Sequence, residues 1–84
     1  LTCKVSGIDT FRSGYAMDAA DRKAAGLTDL GVMQNVDDPN DLFIVWSVDD
    51  QQRAAAFLNS PKLVEHQTQN AGLVGKPNAH FWKR

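Results

Sequence analysis

His80 and Trp82 stand two residues apart near the end of the sequence, and in an extended segment that spacing puts an imidazole and an indole on one face. An imidazole titrates near neutral pH, so beside an aromatic floor it can pass a proton to or from a bound aromatic compound. His80 is the candidate base on this reading, and Trp82 a wall of the site. Trp46, within Leu42-Phe43-Ile44-Val45-Trp46-Ser47-Val48, and Tyr15, at helical spacing from Ile8 and Phe11, add aromatic surface with a polar tip each. Asn35 is a polar positioner. His66 and Asn70 are four apart and share a helix face, which suits hydrogen bonding to a ligand. Each residue has a plainer role as well: Trp82 and His80 in a subunit seam, Trp46 in a core, Tyr15 reaching solvent, and His66 on a solvated helix face.

Other chemistries find no support in the residues. Glu65, His66 and His80 have no spacing that resembles a zinc ligand set, so no metal is expected. The glycines are single and form no phosphate loop, and no Ser sits in a nucleophile elbow. The residues imply no cofactor. Cys3, the single cysteine, rules out an internal disulfide framework and reads as a packed small hydrophobe. Lys4, in the middle of a predicted strand, must meet a carboxylate, a carbonyl or a ligand anion if it is buried.

The elements that would position these residues follow from periodicity. Leu1 to Ser6 alternates apolar and polar, the period of a strand with one apolar face. Ser6-Gly7-Ile8-Asp9 offers a helix start, and Ile8, Phe11, Tyr15 and Ala19 form the inner stripe of the helix, with Ala16 and Ala20 beside it and Asp18 and Arg22 as an exposed pair. Ala25-Gly26-Leu27 stops it. A second strand runs from about Thr28 to Val36. Asp37 to Asp41 is too short for a crossover, so the strand after it pairs back as an antiparallel hairpin. Leu42 to Val48 is apolar on both faces and needs cover on both. Asp49 caps the next helix ahead of Asp50-Gln51-Gln52, and Ser60-Pro61 restarts the chain, so this second helical region is two pieces bent near Asn59. Ala71-Gly72-Leu73 repeats the earlier stop, and a fourth strand is predicted from about Asn78 to Lys83.

Each half thus reads strand, helix, Ala-Gly-Leu, strand. Two such halves give an α+β fold, the ferredoxin-like βαββαβ arrangement with a four-stranded antiparallel sheet, as one domain over residues 1–84. A chain of 84 residues has too few helices to cover both sheet faces, so the second cover is expected from another copy: a homodimer. With a formal charge of −1 and its charges scattered, the chain lacks the basic stripe of a nucleic-acid binder. No apolar run approaches a membrane span and no signal segment opens the sequence, so a cytoplasmic setting is expected. The first residue is Leu1 rather than Met, which leaves room for a short missing leader.

The helix end Arg22-Lys23-Ala24-Ala25-Gly26-Leu27, the hairpin Asp37-Asp38-Pro39-Asn40-Asp41, the Phe-Ile-Val-Trp strand, Ala56-Phe57 with Ser60-Pro61-Lys62-Leu63, and Ala71-Gly72-Leu73 together resemble the dimeric α+β barrel superfamily. Within it they resemble small proteins related to antibiotic biosynthesis monooxygenases. The resemblance implies two sheets packed face to face and a pocket between each sheet and its helices. It also implies a small-molecule-binding homodimer: a cofactor-independent monooxygenase or isomerase acting on an aromatic or polyketide-like substrate, or else a non-catalytic dimer with a filled interior. Haem-degrading members use an Asn, a Trp and a helical His; here Asn35 or Asn78, Trp46 or Trp82, and His66 are available, with no motif to choose among them. Stress-responsive relatives carry a His on the first strand where this chain has Lys4.

Overall fold

Alternation in the first residues becomes strand β1, Thr2–Val5, with Cys3 and Val5 buried and Lys4 exposed. The computed structural model describes all residues from Leu1 to Arg84. Helices α1 (Ile8–Met17) and α2 (Ala19–Ala24) follow, then β2 (Leu27–Gln34), β3 (Asp41–Val48), α3 (Gln51–Leu58), α4 (Pro61–Asn70) and β4 (Leu73–Asn78). The strands lie in the order β2-β3-β1-β4 with every neighbouring pair antiparallel, a small α+β fold compatible with the ferredoxin-like arrangement. No helix is long and apolar enough to cross a membrane.

Both Ala-Gly-Leu stops work through their glycine. Gly26 has φ +79° and Gly72 φ +68°, the left-handed conformation that ends a helix without a Cβ clash. Between β2 and β3, the Asn35 side chain accepts from the Asp37 backbone N–H at 2.9 Å, and Asp38 accepts from the Asn40 N–H at 3.0 Å. These side-chain turns fold the chain back, which is why Asp and Asn crowd there. Lys4 Nζ reaches Asp38 at 3.3 Å, so the lysine meets its carboxylate within the same chain, in the open.

Several expectations need correction. The fourth strand starts at Leu73, not near Asn78: positive φ at Gly72 turns the chain straight into the sheet, and Leu73 pairs with Val5 and is buried beside it. Residues Ala79 to Arg84, with His80 and Trp82, carry neither helix nor strand. The cap of α3 is Asp50, whose carboxylate accepts from the Gln52 and Arg53 N–H groups, while Asp49 gives its own N–H to Gly26. Helix α1 begins after Gly7 with no side-chain cap, since its N-cap residue is a glycine, while the Ser6 backbone N–H is committed to the Gly72 carbonyl.

The first helix also breaks at Asp18, where no glycine or proline occurs. At the break the Tyr15 carbonyl accepts from the Asp18 N–H at 3.3 Å and from Arg22 Nη1 at 2.6 Å. A guanidinium inserted at that carbonyl competes with the helical ladder and turns the axis. As a result Asp18 and Arg22 are not an exposed pair: they are 6% and 5% exposed, whereas Ala16, Ala19 and Ala20 face outward.

All helices cover one face of the sheet. The core there comprises Cys3, Val5, Leu42, Ile44 and Leu73 from the strands with Phe11 and Ala71 above them. On the other face Met33 pairs with Phe43, and both are about half exposed, as is Val74. The second cover that β3 requires is therefore absent from the chain itself.

Candidate functional site

The polar residues under the helices gather at one end of the core. Tyr15 projects from α1 and Trp46 from the helix-facing side of β3, and Asp29 enters from β2, in register opposite Trp46. The Tyr15 hydroxyl donates to Asp29 Oδ1 at 2.5 Å. Trp46 Nε1–H lies 2.7 Å from the Tyr15 oxygen and 2.8 Å from Asp29 Oδ1, so one hydrogen serves two acceptors. Arg22 lays its guanidinium 3.5 Å above the Tyr15 ring, a cation–π contact, and Phe11 stacks on the same ring with centroids 5.0 Å apart.

The charges fix protonation. Burial, then the bond to Asp29, pushes the Tyr15 phenol up to about 12, against the opposing pull of Trp46 and Arg22. Burial works to raise the Asp29 carboxyl, but the bond from Tyr15, the charge of Arg22 and the bond from Trp46 outweigh it and hold the carboxyl below its ordinary value. At neutral pH the tyrosine therefore keeps its proton and the aspartate stays ionised. The cluster is an array of donors around one carboxylate rather than a proton relay.

A second polar group adjoins it. Asp18 accepts from the Gln67 side-chain amide of α4, and its Oδ2 lies 3.3 Å from His66 Nδ1. Asn70 bonds to the His66 carbonyl within the helix rather than sharing a ligand with the ring.

Two hollows meet at these residues. The inner one lies between sheet and helices, offers about 60 Å³, and is lined mainly by aliphatic and aromatic side chains with Asp18, Arg22 and Gln67 at its polar side. The outer one, about 390 Å³, opens between α1, α2 and the β2 edge, with Ile8, Ala16, Ala19 and Val32 among its walls. Phe11, Tyr15 and Arg22 border both. Cys3 also borders the inner hollow, and burial first of all pushes its thiol up to about 11, which keeps it protonated.

Of the residues singled out from sequence, Tyr15 and Trp46 come together. His66 meets Asp18 but lines neither hollow. Asn35 is spent in the hairpin, where its Nδ2 also donates to Asp41 at 3.0 Å. His80 and Trp82 border neither hollow, and Trp82 is 91% exposed. The sequence reading missed Arg22, Asp29 and Asp18. Arg22 falls seven residues after Tyr15, two helical turns on, and that spacing was the available signal. No three of His, Cys, Asp and Glu converge as metal ligands.

No protein-family profile, curated protein or solved structure matches this chain.

Proposed function

We propose that the chain is a small-molecule-binding subunit that works as a homodimer, holding a small apolar or aromatic ligand in the paired hollows beside Tyr15 and Trp46. The observation that carries this reading is the convergence of Tyr15, Trp46, Asp29 and Arg22 where an apolar interior meets a groove of about 390 Å³, a size that suits a ligand. The catalytic extension, which follows the resemblance to cofactor-independent monooxygenases and isomerases, uses desolvation and orientation of an electron-rich aromatic or polyketide-like substrate. A second reading, a non-catalytic dimer with a filled interior, draws support from the inner hollow, whose 60 Å³ suffices only for a few waters or a small ligand fragment.

Pairing through the open sheet face supports the fold as well as the site. Met33, Phe43 and Val74 leave apolar surface there, and Lys4 with Asp38 offers both signs of charge beside it, as an isologous contact between identical copies requires. Sedimentation at micromolar concentration is expected to give a dimer, and Phe43→Glu to give a monomer that keeps its fold. A wild-type monomer under those conditions refutes the pairing. Ligand binding is read at the indole N–H resonances, of which the chain has two, from Trp46 and Trp82. A panel of hydroxylated and acidic aromatics is expected to shift the Trp46 resonance and leave Trp82 in place; no shift at Trp46 across the panel refutes the binding reading.

A further inference from the structure

Arg22 is almost wholly buried, yet its charge is poorly matched. Its Nε makes no hydrogen bond, although it lies 3.4 Å from Asp29 Oδ1, and Nη2 reaches Asp29 Oδ2 only at 3.5 Å. A buried guanidinium is costly unless a carboxylate meets it at close, paired geometry, with bonds nearer 2.8 Å. Asp29 does not: its side chain is 52% exposed, it hangs from the edge strand β2, and it lies at a register shift between Asp29 and Gly31. Meanwhile the two firm donors, the Tyr15 hydroxyl and the Trp46 indole N–H, point at the same carboxylate oxygen.

From this we infer that the Tyr15 hydroxyl, the Trp46 indole N–H and the Arg22 guanidinium form a carboxylate-binding subsite, which Asp29 fills in the empty protein and vacates for the acid group of a ligand. The inference rests on the ligand-binding reading above and names the ligand's class: a small aromatic monocarboxylate. Its ring would lie in the outer groove along Ala16, Ala19 and Val32, and its carboxylate would take the place of Asp29. The geometry makes the exchange inexpensive. Asp29 already borders water and can turn outward to be solvated, while the three donors stay fixed by the packing of α1, α2 and β3. A ligand carboxylate entering from the groove can approach Arg22 more closely than a side chain tethered to β2. An acceptor-only anion matches three donors; a neutral amide carries hydrogens that would oppose them.

The test uses 1-naphthoate and its neutral counterpart 1-naphthamide, titrated into the intact protein while the Trp46 indole resonance is followed, with Trp82→Phe to assign it. Naphthoate is expected to bind about ten-fold more tightly than the amide. Asp29→Asn removes the competing charge but keeps an acceptor for Tyr15 and Trp46; it is expected to tighten naphthoate by a further factor of about ten and to leave the amide unchanged. Tyr15→Phe, which removes one donor and little volume, is expected to reduce the preference for the acid. Equal binding of acid and amide, or weaker naphthoate binding in Asp29→Asn, overturns the subsite while leaving the ligand-binding reading intact. If neither compound moves Trp46 in wild type or variant, the subsite falls; failure of the wider panel as well is what removes the binding reading beneath it.

Discussion

The two halves of the chain break their helices in opposite ways. In the second half the break between α3 and α4 is local: Ser60-Pro61 restarts the helix, the proline occupying a position where its missing N–H costs nothing, and Ser60 makes no side-chain cap bond. In the first half the break at Asp18 is tertiary. Nothing in the local sequence demands it, and it is held by Arg22 on the Tyr15 carbonyl and by Gln67 and His66 on the Asp18 carboxylate. The local break leaves α4 with no buried residue, whereas the tertiary one draws two charged side chains beneath the helices. A similar interruption can thus be a spacer in one half and the source of a polar site in the other.

The strongest challenge to this comparison comes at Gly14, where the halves touch. A Cβ there would overlap the Asn70 carbonyl and the Ala71 backbone, which cannot swing aside as a side chain can. Gly14→Ala is expected to cost about 2–3 kcal/mol in urea unfolding; a neutral result would mean that the first helix pair is not pressed against the end of α4. Next come the breaks themselves. Asp18→Ala strips His66 and Gln67 of their acceptor and should cost about 1–3 kcal/mol, while Ser60→Ala should stay within about 0.5 kcal/mol. Equal losses at the two sites would erase the distinction between tertiary and local breaks. The paired helix stops sharpen it further: Gly26→Ala and Gly72→Ala each place a Cβ at positive φ, at about 1–2 kcal/mol. The two losses should be similar, because the Ser6 hydroxyl that a Cβ at Gly72 would meet can rotate aside and the Asp49 Cβ near Gly26 is only in tight contact.

A last test is one of pH. Tyr15 is the single tyrosine, so its phenolate absorbance can be titrated directly. Its folded pKa, about 12, lies above the ordinary 10, so the stability it contributes is complete below pH 10 and is lost as pH rises towards 12. Tyr15→Phe should flatten that alkaline arm. A midpoint near 10 in the folded protein would show that the phenol is not enclosed as described.

What could be read from the residues divides along the same line as the breaks. The hairpin, the Ser60-Pro61 restart and the two Ala-Gly-Leu stops are written in neighbouring residues, and the α+β sheet follows from their order. At the Asp18 break the Tyr15-to-Arg22 spacing was a local signal, but the Gln67 and His66 side chains that hold the Asp18 carboxylate come from a distant helix and were illegible. Strand β4 was misplaced for another local reason: Gly75 and Pro77 are unfavourable inside a strand, but an edge strand tolerates both. That error took His80 and Trp82 with it. Tyr15 could be aimed inward by helix periodicity, but the parity of Trp46 could not be read from a strand apolar on both faces; it shares the helix-facing side with Leu42 and Ile44.

Both outer strands are irregular. Strand β2 slips register between Asp29 and Gly31, and the pairing of β4 with β1 slips between Thr2 and Lys4. A kinked margin makes a poor template for an incoming ribbon, so lateral growth into a continuous filament is discouraged at each rim. Under the pairing proposed above, through Met33, Phe43 and Val74, an isologous contact closes on itself after two molecules.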